Sequence, residues 1–546
     1  MEVLIIVTSV IVCIVFYVVY TRTVFRKKRA ARIAAAFGLP PENTDYELDS
    51  IRKYSRFFGE SPLRVDEITW NDLDMDAVFK RINKCNSSIG EEYLYETLHG
   101  LPLETVPTQK REEVIRYFSD NPDERLKVQC IFAGLGKRNY NGVAGLIMNS
   151  EYILLPRNAL YRIMALAPIL FALFLIVNPT VGISGLVLTF VANLLIHYRS
   201  EAKISLEIQT IGYFTSMMNC CSKLLKIRGM EGLEPVGELK KCYTKLKAAT
   251  RWAPIQKSNS GDVSEALYTY FDILFLISIR GYNTFMSEIV RENDAFLSLY
   301  RNLGELDASI SVLSFRKSLP ECCIPCFHAS SSIIFDRVYH PLLNDPVVNS
   351  GAMTNDSLIT GSNASGKSTF IKALAINGIL AQTINTCAAR TFTSRLSIIA
   401  TSMVMRDDLL GGDSYFVVEI KSLKRILDLV GKYPCTCYVD EILRGTNTIE
   451  RIAASASVLE HLYSRDCLCV AASHDIELTR ILPHDNYHFS EGITDNEILF
   501  DYTLKPGPTT TRNALKLLKF TGFDETVVEA AEKLAECYED TKAWAI

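Results

Sequence analysis

From Val3 to Tyr20 the chain is uncharged and mostly apolar. At about 1.5 Å per helical residue such a run nearly crosses a hydrocarbon core about 30 Å thick, which predicts a membrane span. Glu2 precedes it and Arg22, Arg26, Lys27, Lys28, Arg29 and Arg32 follow it, the reverse of the charge order around a cleaved signal peptide. With the basic side cytoplasmic, residues 1–32 form a transmembrane anchor and basic flank whose N-terminus lies outside. A second apolar tract, 163–197, is too long for one span and is broken by Asn178, Pro179 and Gly182, so it predicts a helical hairpin. Arg162 before it, and Arg199 and Lys203 after it, place both ends inside and the Asn178-Pro179-Thr180 turn outside. The expectation is a multi-pass protein of the cytoplasmic membrane with its soluble domains in the cytoplasm. The alternative for the second tract, a buried helical pair in a soluble domain, would call for a polar stripe that the tract lacks. The run Ile273 to Ile279 is too short to span and reads as core.

Between these tracts the pattern is helical, with apolar positions such as Val78, Ile82 and Ile89, or Val114, Tyr117 and Phe118, among frequent charges. Residues 201–318 continue in this style, so 66–318 reads as one helical domain interrupted by the hairpin. From about residue 330 short β-rich runs alternate with helices, which predicts an α/β nucleotide-binding domain over 330–504, with Pro320 and Pro325 marking the linker. Residues 505–546 form a closing helical segment.

Composition changes this picture in three places. An apolar share of 48% over 546 residues exceeds the need of soluble cores, in keeping with lipid-facing surface. A net charge of −4 gives no global attraction to nucleic acid, so any contact with DNA must use a local patch. Fifteen cysteines scattered through apolar runs read as reduced thiols. One compact group, Cys322, Cys323, Cys326 and His328, has the residue types of four zinc ligands, though its spacing is too crowded for a known zinc module.

The chemistry lies in the C-terminal half. Gly361-Ser362-Asn363-Ala364-Ser365-Gly366-Lys367-Ser368, followed by Thr369, fits G-x-x-x-x-G-K-S between a strand-like and a helix-like run. In such a loop backbone N–H groups and a helix N-terminus face the phosphates of ATP, Lys367 neutralises the β and γ oxygens, and Ser368 ligates Mg2+. The run Cys437 to Val439 ends in Asp440-Glu441, where Asp440 would hold the metal through water and Glu441 would orient and deprotonate the attacking water. A third strand, Cys467 to Ala472, delivers Ser473-His474-Asp475, and His474 can sense the γ-phosphate. Ser414 opens an apparent helix, Tyr415 to Leu429, where it is either an N-cap or a phosphate ligand.

The loop from Thr360 to Phe370 resembles that of the MutS mismatch-recognition family. So do Asp440 to Thr448, Ala472 to Leu478, and Gly412 to Glu419, the last being similar to a signature helix whose serine reaches the partner subunit's nucleotide. The tail 507–534 resembles the family's closing helix-turn-helix dimerisation segment. Asn86-Ser87-Ser88-Ile89-Gly90 looks like the start of its helical core, and Leu303-Gly304-Glu305-Leu306-Asp307 like the end of its lever. The expected architecture is α + α/β: transmembrane helices read from the apolar runs, with a MutS-like helical core and lever and a C-terminal P-loop ATPase domain of ABC type implied by the resemblance, from which the membrane hairpin in the helical core is a departure. The resemblance also implies a homodimer with composite ATP sites completed by Ser414, clamp-like cycling and DNA binding. Ser362, Ala364 and Ser365 depart from the family's usual proline, methionine and glycine. Only about 30 residues separate the basic cluster from the core, so the mismatch-reading domain is expected to be absent. Phe58-Gly59-Glu60 fits that domain's aromatic-x-glutamate probe, but so do Phe489-Ser490-Glu491 and Phe523-Asp524-Glu525, which points to chance.

Three functions compete: a MutS-like ATPase at the membrane with DNA or a protein as client, an ATP-switched membrane receptor or scaffold, and a transport ATPase. The third draws on Leu409 to Asp413, a loose echo of a transporter signature, but three spans make a thin translocation path. Fold and motif alone do not name a client.

Overall fold

The computed structural model describes the backbone of residues 2–42, 47–138, 142, 143, 145, 155, 158–250, 263–362, 365–403, 415–443, 446–482, 484–493, 498–509 and 522–541. Up to Ser318 the described elements are helices: α1 (Glu2–Ala36), α2 (Leu48–Arg56), α3 (Glu67–Asp72), α4 (Met75–Ile82), α5 (Ser88–His99), α6 (Val106–Asp120), α7 (Pro122–Leu135), α8 (Asn158–Val177), α9 (Pro179–Leu224), α10 (Glu234–Thr250), α11 (Val263–Phe275), α12 (Ile277–Arg291) and α13 (Asn293–Ser318). Two compact units result. One comprises 1–59, 79–97 and 109–318, and the other 60–78, 98–108 and 319–546.

In the first unit Phe214, Phe285 and Phe296, all buried, pack with ring centroids 4.5–6.1 Å apart, in the range of favourable aromatic pairs. Around this core the two stretches that resemble a core start and a lever end meet. The buried carboxylate of Asp307 accepts from Asn86 N, Ser87 N (2.9 Å) and Ser87 Oγ (2.6 Å), capping α5 from α13. A Cβ on Gly90 would lie 2.4 Å from Asp307 Oδ2, so the approach needs glycine there. Arg111 grips Glu305 through two bonds of 2.9 and 3.0 Å, and Tyr93 donates to the same carboxylate at 2.6 Å. This buried ion pair thus has additional hydrogen bonds that offset its desolvation.

The Val3–Tyr20 run falls within α1. The second tract does form a hairpin: Asn178 Oδ1 accepts from Thr180 N and Val181 N, and Pro179 begins α9, a position where its missing N–H costs nothing. Two helical stretches, Ala159–Val177 and Pro179–Ile204, are long and apolar enough to cross a membrane. Ile163, Leu173, Ile176, Val177, Ile183 and Leu188 on them are exposed. Against the expectation of a hairpin ending near His197, α9 runs on without a break to Leu224. After Gly185 this stretch contains no proline and only Gly212 as a weak breaker, so nothing stops the helix. The Ile273–Ile279 run spans the junction of α11 and α12, where Leu276 is fully buried at φ +48° and the two helices bend by 67°. Asp272 Oδ1 accepts from Ser278 N at 2.6 Å across that break, and Asn193 Nδ2 of α9 donates to Leu274 O at 2.8 Å.

The second unit has two main sheets. Strands β1 (Cys326–His328), β2 (Ile333–Val338), β3 (Asn349–Met353), β4 (Ser357–Thr360), β5 (Thr391–Arg395), β6 (Ile398–Ser402), β7 (Cys435–Asp440), β8 (Cys467–Ser473), β9 (Asp485–His488), β10 (Glu491–Ile493), β11 (Ile498–Phe500) and β12 (Lys505–Pro506) alternate with α14 (Lys367–Ile384), α15 (Tyr415–Leu429), α16 (Thr448–Tyr463), α17 (Leu478–Ile481) and α18 (Glu525–Thr541). The larger sheet has the order β12-β9-β4-β8-β7-β6 and is parallel from β9 to β6; the smaller is β1-β5-β2-β3. Every residue of β4, β7 and β8 is buried, as parallel strands covered on both faces require. The edge strand β6 is covered by the 60–78 segment. Thr401 N donates to Thr69 Oγ1 at 3.1 Å, and Asp72 accepts from Thr401 Oγ1 and Met403 N at 2.7 and 3.0 Å.

Candidate functional site

The C-terminal ends of β4, β7 and β8 lie side by side, and each delivers one of the expected motifs. The loop after β4 turns into α14 through Gly361 (φ +144°) and Gly366 (φ +100°). A Cβ on Gly361 would stand 2.7 Å from Phe489 O, and one on Gly366 would stand 2.9 Å from the Tyr502 ring, so both positions need glycine for space and for backbone angle. Asn363 and Ala364 lie outside the described residues. Lys367 is buried, and its Nζ donates to Gly361 O and Ser362 O, each at 2.7 Å. The ammonium is thereby held over the loop.

Next on α14, Ser368 Oγ donates to Asp440 Oδ2 at the end of β7. Asp440 is 6% exposed, and its other oxygen, Oδ1, is buried with no hydrogen-bond partner among the described residues. A hydroxyl and a carboxylate with an unused oxygen are hard donors of the kind Mg2+ takes, so the pair fits that ion. Glu441 follows at φ +55° and Leu443 at φ +57°, two left-handed non-glycine residues in one turn. The turn is held by Glu441 N donating to Ala472 O (3.0 Å) and by Leu443 N donating to the Glu419 carboxylate on α15. His474 after β8 sets Nε2 2.5 Å from Glu441 Oε1 and 3.4 Å from Lys367 Nζ. With its proton directed at Glu441, Nε2 has no lone pair left for the Lys367 ammonium, so the lysine contact is one of proximity and not a hydrogen bond. Thus Lys367, Ser368, Asp440, Glu441 and His474 converge. Thr369 lies beside them on α14, whereas Ser414 and the preceding 404–413 lie outside the described residues.

Two cavities flank this cluster. One, of about 250 Å³, is lined by Glu441, Ile442, Arg451, Ser473, His474 and Asp475. The other, of about 320 Å³, lies beyond the glycine loop between Tyr339, His340, Leu343, Phe370 and Tyr502, with Gly366 and Thr369 at its inner end. Burial pushes the His340 imidazole down to about 4, with the nearby Lys372 adding to the shift and Asp74 opposing it. Sequence reasoning missed this second cavity and Arg451. The cavity draws on residues 338–373 and Tyr502, which share no spacing, and Arg451 finds its partner Asp475 only through the fold.

The cysteine group does not assemble: among the described residues no three His, Cys, Asp or Glu side chains are placed to hold a metal ion. Cys323 instead pairs with Cys387 through backbone bonds, and Cys326 opens β1. Of the three aromatic-x-glutamate tripeptides, Phe489 is buried, while Phe58 packs edge-on against Tyr54 at 5.2 Å beneath the Arg301 guanidinium.

A parallel sheet, a glycine loop leading into a helix, and an acidic pair and a histidine at neighbouring strand ends define a P-loop domain of the ATPase type. Residues 357–539 match the family model of MutS domain V, so this domain of the chain is of the MutS type. The chain is similar to DNA mismatch repair protein MutS of Methanothrix thermoacetophila, with 30% identity over 256 residues that cover 44% of this chain and 29% of that protein. It is also similar to the proteins of that name from Natronomonas pharaonis (32% identity; 33% of this chain, 21% of the relative) and Thermus thermophilus (31%; 32% and 22%). The alignments therefore span less than a third of these relatives. Members of the family are ATPases.

Proposed function

We propose that this chain is a membrane-anchored ATPase of the MutS type that binds ATP with Mg2+ and hydrolyses it to drive clamp-like cycling of a homodimer. The observation that carries the reading is the convergence of Lys367, Ser368, Asp440, Glu441 and His474 on the glycine loop. Lys367 supplies positive charge to the β and γ oxygens, and the α14 N-terminus adds its partial charge. Ser368 and Asp440 would hold Mg2+, which when bound neutralises phosphate charge. Glu441 takes the proton of the attacking water, and His474, bonded to Glu441, keeps that carboxylate aimed. The 320 Å³ cavity beyond the loop has the size and the aromatic and apolar lining that suit the purine. Family resemblance supports a second copy completing each site with Ser414. The names of the relatives support DNA as the client. A protein client held at the bilayer is the second reading, favoured by the two exposed, membrane-length helices.

The test is Glu441→Gln in the purified full chain. ATP binding should persist while turnover falls by about 10²-fold, the scale of lost general-base assistance. Turnover close to that of the unaltered chain would remove Glu441 from this role.

A further inference from the structure

Arg451 and Asp475 form the best-defined ion pair beside the ATP site, and none of the expected motifs assigns them a task. Arg451 Nε donates to Asp475 Oδ2 at 2.8 Å and its Nη2 to Oδ1 at 2.6 Å, a planar two-bond grip. The two side chains are 25% and 12% exposed, so the pair is largely withdrawn from solvent. Arg451 stands near the start of α16, whose N-cap is Asn447. That helix begins seven residues after Glu441. Asp475 is joined to His474 by one peptide bond, and its N–H donates to Ser473 Oγ at 3.0 Å. Both partners line the 250 Å³ cavity that Glu441 and His474 also line.

We propose that the Arg451–Asp475 ion pair is a clip that braces the histidine loop against the first turn of α16, the helix that follows Asp440-Glu441, and so holds His474 on Glu441. Arg451 and Asp475 are positioning residues in this inference, which rests on the ATPase reading above. The need for such a clip follows from the geometry. The 2.5 Å contact between His474 and Glu441 joins a partly exposed imidazole to a residue whose backbone is in the left-handed region. The Glu441 N–Ala472 O bond ties the two backbones at the strand ends, and the side-chain contact beyond it needs a second tie to stay in place. The pair also disposes of a charge. Asp475 occupies the Arg451 guanidinium, which would otherwise be drawn to Glu441 and compete with the imidazole for it. The two partners should therefore differ in the effect of their removal. Losing Arg451 loosens the loop, whereas losing Asp475 loosens the loop and releases a cation beside the general base.

The experiment compares Arg451→Gln, Asp475→Asn and the double variant with the unaltered full chain and with Glu441→Gln, measuring kcat and KM for ATP. Displacements of about 1 Å at a reacting group cost up to about 10²-fold in rate. The expected result is a fall in kcat of about 10-fold for Arg451→Gln and about 10²-fold for Asp475→Asn, with KM within about twofold. The double variant should return to about the level of Arg451→Gln, because the released cation is gone. Unchanged kcat in both single variants, or a loss carried by KM, overturns the clip and leaves the ATPase reading standing. If the unaltered chain shows no hydrolysis that depends on Glu441, the ATPase reading fails instead. The clip is then decided by amide hydrogen exchange over residues 473–478 in Arg451→Gln. Faster exchange there supports the brace, and unchanged protection overturns it.

Discussion

His340 lies half-buried on the cavity that Phe370 and Tyr502 also line, its pKa pushed down to about 4, well under the ordinary histidine value of about 6.5. As pH falls below about 6.5 the unfolded chain takes up a proton that the folded chain refuses. The stability associated with this neutral histidine is therefore complete above about 6.5 and is lost as pH falls towards 4, by about 3 kcal/mol at most. Between pH 7.5 and 5 the melting temperature of the unaltered protein should drop more than that of His340→Gln, and parallel curves would assign the imidazole no such cost. Gly366 offers a second test at this scale. An alanine there must adopt φ +100° with its Cβ 2.9 Å from the Tyr502 ring. A left-handed conformation alone costs about 1–2 kcal/mol, or roughly tenfold in a binding constant. Titration with a fluorescent ATP analogue should show Gly366→Ala binding at least about tenfold more weakly, and equal affinity would mean that the loop accommodates a side chain.

Among the elements, the close seam between α8 and α9 makes its own prediction. A Cβ on Gly185 would fall 2.0 Å from the Phe171 ring, and one on Gly182 would fall 2.7 Å from Leu175. Small residues at such a seam let two backbones approach in an apolar surrounding. Gly185→Val should part the hairpin and lower the melting temperature of the detergent-solubilised protein, whereas an exposed Leu188→Val should leave it unchanged. Elements of this kind were legible to different depths. The helix from Tyr415 to Leu429 and the strand from Ser357 to Thr360 stand where apolar spacing and glycine boundaries put them, because those signals are local. The length of α9 is not legible in this way, because a change from apolar to charged residues marks an interface, not a helix end. Nor did any pattern announce that Thr69 and Asp72 would cover β6, since Thr401 and Met403 lie more than three hundred residues away. The same holds for the site. Motifs gave Lys367, Ser368, Asp440, Glu441 and His474, each within a contiguous signature, while Arg451 and the His340 cavity depend on long-range placement.

For the molecule as a whole, the proposal that the hairpin crosses a bilayer fixes a sidedness. In a variant without other cysteines, one placed at Thr180 should react with an impermeant thiol reagent added outside intact cells, and one at Arg32 should not. Labelling at Arg32 would reverse the orientation that the basic flank implies.

The continuity of α9 has a mechanical meaning. Its 46 residues make a single rod about 69 Å long, with apolar side chains along its first half and, towards its other end, Met217, Cys221 and Leu224 sealed in the helical core. A helix without a break has no hinge in which to lose a rotation. A change of about 10° in the tilt of its first turns would carry its last turn through about 12 Å. A mismatch between apolar length and bilayer thickness is met in part by tilting. If the hairpin crosses a bilayer as proposed, a thinner or thicker membrane would bear directly on the helical core through this one helix.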